Sequence, residues 1–214
     1  MSQVWSERAE LYRTSEAHRE GEDLDLIVAW ASEAPGRRAL DVATGGGHVA
    51  RRLREAGFDV VSSDPAAGME PDVVARAEEL PFDDASFDVV ACRVAAHHFE
   101  DVERAVAEMS RVSSSLVLVA DNLNLGDVVE GAERLRDSTH VRCLTADEWR
   151  DLLASAGLVV EDTRVFEKRI EIEGWLARAG CSGERAERVR ELLADRIEDG
   201  RVVLSRGVFK GRKR

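Results

Sequence analysis

Two aspartates bracket a glycine triplet in the first third of the chain. Asp41 lies within "ALDVATGGGHVA" (39–50), four residues before Gly45, and Asp64 closes "FDVVSSD" (58–64), 19 residues after it. Gly45, Gly46 and Gly47 allow positive φ and close approach of a ligand to the backbone. A helix beginning near His48 would add its positive N-terminal end, so the loop suits a pyrophosphate or the carboxylate end of another cofactor. Glycine spacing alone discriminates poorly. The dinucleotide fingerprint Gly-x-Gly-x-x-Gly is met only permissively, with Ala50 in its third place and alanine at position 43. Asp41 is more informative, because a strand-embedded acid facing the loop suits an ammonium group and is out of place beside a pyrophosphate. Asp64 could accept both ribose hydroxyls of an adenosine, or simply cap the turn before Pro65; beside a glycine loop the ribose reading is the stronger.

A second group of residues could handle protons. His97 and His98 follow the apolar run "SFDVVACRV" (86–94), His140 and Arg142 stand in "STHVRC" (138–143), and Tyr12 and His18 lie near the start. A general base is required only if a nucleophile must lose a proton, and imidazole titrates in the useful range. For each of these residues a structural role is the competing reading: a satisfied ring hydrogen bond, a lid contact or a solvated helix face.

These side chains need elements to hold them. "DLDLIVAWA" places Leu24, Ile27, Val28 and Ala31 on one helical face, and "HVARRLREAG" is an amphipathic helix closed by Gly57. "ALDVA", "FDVVSSD", "DVVA" (72–75), "SFDVVACRV" and "SLVLVAD" are strand-like. "VERAVAEMSRV" is helical, with Val102, Ala105, Val106 and Met109 inward. Strands alternating with crossovers imply a mostly parallel sheet, whose ligands gather at the carboxyl ends of the strands. Further on, "TADEWRDLLASAG" opens with a capping box from Thr145 to Glu148 and closes at Gly157. "LVVEDTRVFEKRI" and "GRVVLSRGVFKG" are strands, and "ERAERVRELLADRI" is a helix with Val189, Leu192, Leu193 and Ile197 on one side.

Composition narrows the function classes. The 214 residues suit one well-buried domain, and a formal net charge of −12 argues against a nucleic-acid groove. The terminal "FKGRKR" reads as a solvated tail. Cys92, Cys143 and Cys181 are too scattered for a zinc motif and too few for a disulfide framework. No signal peptide or spanning segment is evident, so the expected location is the cytoplasm.

The segments "ALDVATGGGHVA", "VVSSDPAAGM", "AEELPFDDASFDVVACRVAAHHFEDVERAVAEMSRV" and "LVLVADN" resemble, in order, the motifs of class I S-adenosylmethionine-dependent methyltransferases, closest to the ubiquinone/menaquinone-biosynthesis (type 11) group. "YRTSEAHREGEDL", "LRDSTHVRCLTADEWRDLLASAGL" and "EGWLARAG" look like a small-molecule branch of that group. The resemblance implies a three-layer α/β Rossmann-like fold. Its sheet would be seven-stranded and mostly parallel, in the order 3-2-1-4-5-7-6, with helices on both faces and the last strand antiparallel. Residues 1–214 would form a single domain, 1–33 a helical cap, and 122–145 and 171–198 helical lid segments.

Carried over by position, the resemblance puts Asp41 near the methionine amino group, beside Ala43 and the backbone of Gly45, Gly46 and Gly47. Asp64 would hold the ribose, with Pro65 and Met69 near it or the adenine, and Ala77 and Glu78 would border the adenine. Arg93, Val94 and Ala95 would line the methionine side, with His98 behind. The cofactor would be S-adenosyl-L-methionine, released as S-adenosyl-L-homocysteine. The acceptor would be a small organic molecule methylated at carbon, oxygen or nitrogen, with no nucleic-acid partner, no membrane insertion and a homodimer as the candidate assembly.

Several positions depart from the family pattern. Ala43 replaces a loop glycine, which negative φ would tolerate. Arg76 stands where an acid often meets the adenine. Serines 113–115 replace a glycine-rich turn, a change expected to alter only the surface. Asp121 and Asn122 match two ligands of metal-dependent catechol-type enzymes, but no acid occupies the third position, so no metal is expected. Two alternatives remain open on sequence: an NAD-dependent oxidoreductase and a non-catalytic S-adenosylmethionine-binding protein. Trp175 and "LIVAWA" hint at an acceptor that is partly apolar.

Overall fold

The computed structural model describes residues 2–14 and 19–214; His18 lies outside the described residues. In chain order the elements are α1 (Ser2–Arg13), α2 (Glu22–Ala31), β1 (Arg38–Val42), α3 (His48–Glu55), β2 (Asp59–Asp64), β3 (Val73–Val74), β4 (Phe87–Arg93) and α4 (Val102–Val112). They continue with β5 (Ser113–Asn122), α5 (Asp127–Arg136), α6 (Ala146–Ser155), β6 (Leu158–Glu171), α7 (Ile172–Arg178), α8 (Gly183–Leu192), β7 (Ile197–Glu198) and β8 (Arg201–Lys213).

One sheet runs β3-β2-β1-β4-β5-β8-β6, with the two-residue β7 paired to β8. β1 to β5 pair in parallel, whereas β8 is antiparallel to both β5 and β6. Apart from β7 this is the expected order, with β8 in the place of the seventh strand.

The central strands are apolar on both faces, as a sheet covered twice must be. Along β5, Val117 and Val119 join α4 and α6 through Val106, Met109, Trp149 and Leu153. Leu116, Leu118 and Ala120 face the other way, against Leu24, Ile27 and Ala31 of α2 and Val49 and Leu53 of α3. A third cluster joins Val129 and Ala132 of α5, Trp175 and Leu176 of α7, Val189 of α8, and Val202 and Leu204 of β8. No helix among the described residues is long and apolar enough to cross a membrane.

Local stop signals behave as the sequence indicates. Gly57 closes α3 at φ 86°, its N–H donating to Arg54 O at 3.0 Å, while Phe58 N–H reaches Leu53 O at 3.0 Å. Thr145 and Glu148 form the expected reciprocal capping box.

Three expectations are corrected. The helix from Glu184 ends at Leu192, and Ile197 belongs to β7, because a short 3₁₀ turn (Ala194–Arg196) breaks the helical period. "FKGRKR" is no solvated tail: Phe209 is buried, and Lys210 is buried in ion pairs with Glu33 and Glu161. Serines 113–115 do not form a surface turn either. α4 runs directly into β5, Ser113 and Ser115 are buried, and Ser113 Oγ donates to Leu116 O at 3.0 Å.

Candidate active site

A cavity of about 650 Å³ opens at the carboxyl ends of β1, β2 and β4, within the range of a small-molecule site. Its floor is the loop between β1 and α3. Gly47 caps α3 at φ 74° without a side chain to do the capping. Asp41 does it from the strand: its Oδ2 accepts Thr44 Oγ1–H at 2.6 Å and Ala50 N–H at 3.0 Å. Both bonds fall on one oxygen of a carboxylate that lines the cavity. Burial raises the Asp41 pKa to about 6 despite those bonds.

Glycine is required at position 46 for a different reason from its neighbours. A Cβ there would stand 2.6 Å from Tyr12 O and 2.9 Å from His48 Nε2, the pair whose own 2.9 Å contact folds the N-terminal segment onto the loop. Ala43 corrects an expectation, since its φ is 53°, in the left-handed region, where negative φ was anticipated. Val94, at the end of β4, has φ 56°, an outlier for a β-branched side chain. Both strained residues line the cavity, and such conformations cost of order 1–3 kcal/mol each, so the fold spends stability to shape this wall.

Asp64 does two things at once. Oδ2 accepts Gly45 N–H at 3.0 Å and Oδ1 accepts Ala66 N–H at 2.9 Å, which ties the glycine loop to the turn after Pro65. Its carboxylate still lines the cavity, with Pro65, Met69, Ala77 and Glu78 along the same wall. Burial raises its pKa. Glu78 Oε1 accepts Glu100 N–H at 3.1 Å and pairs with Arg76, which also reaches Glu100 at 2.9 Å. Arg76 is thus neutralised by two acids where the family often places one.

At the end of β4, Arg93 pairs with Asp23 of α2 at 2.8 Å. Arg206 of β8 and Lys168 of β6 meet the same carboxylate at 2.9 and 3.3 Å. Burial opposes ionisation of Asp23, but Arg206 and Arg93 outweigh it and hold the carboxyl well below the usual range.

The histidines form a cluster. His97 lines the cavity; its ring Nδ1 lies 2.6 Å from Asp121 Oδ1, and its backbone N–H donates to Asp121 Oδ2 at 2.8 Å. Burial alone would lower the His97 pKa, but the Asp121 charge and hydrogen bond raise it. His98 also lines the cavity. Its Nδ1 lies 3.0 Å from Thr139 O, its ring is 4.7 Å from Trp5, and burial and His97 keep its pKa well below the ordinary value. Tyr12 completes the lid side, 5.5 Å from Trp5.

Other sequence-chosen residues do not reach this wall. Gly47 and His140 are absent from the lining, and the His140 ring lies 5.6 Å from that of His97. Arg142 is exposed and pairs with Glu148 of the capping box, pointing to a surface role. His140 belongs instead with Glu130 and Cys143, whose ligand-type atoms lie within 4.8 Å of one another. Glu130 already meets His140 Nε2 at 3.2 Å and accepts Cys143 N–H at 3.2 Å. Sequence spacing gave no sign of this cluster, nor of Asp23, Arg136, Lys168, Arg178 and Arg206, which come together only through the tertiary fold. Asp121 and Asn122 are occupied, by His97 and by Arg206 Nη2 at 3.0 Å.

Residues 40–116, which contain the loop and its two acids, match a methyltransferase domain model. The chain is 32% identical over 207 residues to the uncharacterized methyltransferase YcgJ of Bacillus subtilis, covering 86% of this chain and 82% of that one. The crystal structure of YcgJ superposes with a TM-score of 0.79 at 26% identity, covering 90% of this chain and 98% of the other. A demethylmenaquinone methyltransferase of Renibacterium salmoninarum is 37% identical over 98 residues, 41% of each chain. The chain belongs to the class I S-adenosylmethionine-dependent methyltransferases, and it uses S-adenosylmethionine. The residues present fit that cofactor: backbone without a Cβ at Gly45 in the cavity floor, the buried carboxylate of Asp41, and a second carboxylate, Asp64, at the end of β2.

Proposed function

We propose that this methyltransferase acts on a small organic acceptor, at carbon, oxygen or nitrogen, and that His97 is its general base where the attacking atom carries a proton. The observation that carries this reading is the buried His97–Asp121 pair in the cavity wall. Asp121 fixes the ring through Nδ1 and the backbone, so the remaining ring nitrogen is the one available to take a proton. The cofactor supplies a methyl group on a sulfonium; the protein aligns, excludes water and accepts the proton.

Within this reading Asp41 takes the cofactor ammonium, Asp64 the ribose hydroxyls, and Arg93 the methionine side. The described residues of 2–33 form a cap through Trp5 and Tyr12, and 122–145 with 171–198 form lids through Arg136, Trp175 and Arg178. The size of the cavity and its closure by helices support a metabolite over a macromolecule. Some matched relatives are named for quinone methylation, but they align over less than half of this chain and leave the acceptor open.

Labelled methyl groups offered with separate protein-free metabolite, protein and nucleic-acid fractions should appear only in the metabolite fraction. Label in protein or nucleic acid would contradict the reading.

The role of Asp41 has a pH signature. An ammonium beside Asp41 favours its ionised form, and the free carboxyl titrates near 6. Above that value the site is ready; below it a proton must leave before the ligand binds. Affinity for S-adenosylhomocysteine should therefore fall as pH falls through about 6, approaching tenfold per unit. Calorimetric titrations across that range check this, and the Asp41→Asn protein should lose the dependence.

A further inference from the structure

The cavity is electrically divided. Asp41, Asp64 and Glu78 stand at the β1, β2 and β3 end, whereas Arg136 of α5, Lys168 and Arg169 of β6, Arg178 of α7 and Arg206 of β8 line the other. This cationic wall stands in a chain of net charge −12. The acid on that side, Glu171, has both oxygens committed to the start of α7, accepting Glu173 N–H at 2.9 Å and Gly174 N–H at 2.6 Å.

The cations are unequally balanced. Arg169 has Glu167 and Glu198, and Arg136 has Glu133 while stacking 4.2 Å from the Trp175 ring centroid. Arg206 and Lys168 meet the Asp23 carboxylate that Arg93 also meets, Arg206 Nη2 donates to Asn122 Oδ1, and buried Arg206 Nε has no hydrogen-bond partner among the described residues. Arg178 is half-buried and makes no ion pair or hydrogen bond among the described residues. Burial disfavours its charge, and Arg136 adds to that, against the opposing pull of Tyr12 and of Glu171, whose oxygens are already bonded to the start of α7. Partly buried cations in excess of their counter-ions are costly unless a ligand brings the missing charge.

We infer that the methyl acceptor is an organic anion whose carboxylate or phosphate is received by Arg178 beside Arg136, with Trp175 and Ile170 against its apolar part. The inference rests on the small-molecule reading above and adds the charge of the substrate. Arginine suits the task, since its planar fork meets either oxyanion in bidentate fashion. An anion at this wall could also be the cofactor's own carboxylate, and the test below separates the two.

The protein is incubated with labelled S-adenosylmethionine and a protein-free metabolite extract, and products are split on anion and cation exchangers. The labelled product should be retained as an anion. Arg178→Gln should lower transfer at limiting extract by roughly tenfold or more, recovered in part at high extract, with S-adenosylhomocysteine affinity unchanged. Arg178→Lys should retain part of the activity, and Arg188→Gln, which removes a cation from the surface of α8, should behave as the unaltered protein. A neutral or cationic product, or full activity in Arg178→Gln, would overturn the inference alone. A fall in S-adenosylhomocysteine affinity matching the fall in transfer would overturn it in favour of the cofactor carboxylate. Absence of any labelled product would remove the small-molecule reading and this inference with it.

Discussion

Asp64→Ala is expected to weaken S-adenosylhomocysteine binding by roughly two to three orders of magnitude, the loss of two hydrogen bonds to a carboxylate at about 1.5–3 kcal/mol each, with part recovered by water. The same carboxylate accepts Gly45 N–H and Ala66 N–H, so the substitution also loosens the loop. The two effects can be told apart. Loss of the loop bonds should lower the melting temperature of the ligand-free protein by a few degrees, at about 1 kcal/mol per bond. Asp64→Asn keeps one acceptor oxygen for the loop and should therefore melt closer to the unaltered protein while still binding poorly. Isothermal titration together with a thermal melt of each variant checks both parts. Affinity within threefold of the unaltered protein in Asp64→Ala would mean that the ribose lies elsewhere and that Asp64 serves only to brace the turn.

His97→Asn should lower kcat by roughly 10²–10⁴, the usual contribution of a positioned base, with S-adenosylhomocysteine affinity unchanged. The pH profile carries more weight than the rate. Asp121 raises the His97 pKa above its ordinary value, so the ring is protonated, and unable to act as a base, to a higher pH than a free histidine. Activity should rise with pH through a midpoint above 6.5. Asp121→Asn removes the charge that holds the midpoint up and should move it down. Transfer by His97→Asn at the unaltered rate and with the same profile would show that the acceptor attacks without giving up a proton to this residue.

The parts of the molecule legible in sequence were those in which a residue type has one structural use. The apolar alternation of "ALDVA", "FDVVSSD" and "SLVLVAD" can be buried only in a sheet covered on both faces, and β1, β2 and β5 follow. Gly57, Gly157 and the Thr145–Glu148 box end or start helices because few other residues can. Asp41 and Asp64 could be singled out because an acid beside a glycine loop suits an ammonium group and one at the end of the next strand suits ribose hydroxyls. Less legible was what depends on a neighbour distant in the chain. Gly46 is glycine because Tyr12 lies over it, a contact across 34 positions. Ala43 and Val94 hold positive φ against their residue type, as tertiary packing overrides local preference. The cationic wall draws on α5, β6, α7 and β8, and no window of sequence contains it. "FKGRKR" misled for the same reason: a basic run looks solvated until Glu33 and Glu161 are seen beside Lys210.

What the acidic end of the cavity holds decides the function. Equilibrium titration of the unaltered protein with S-adenosylhomocysteine and, separately, with NADH tests it most directly. The expected result is saturable one-to-one binding of S-adenosylhomocysteine, weakened in Asp64→Ala, and no measurable binding of NADH. Binding of NADH without S-adenosylhomocysteine, or S-adenosylhomocysteine binding indifferent to both Asp41→Asn and Asp64→Ala, would contradict it.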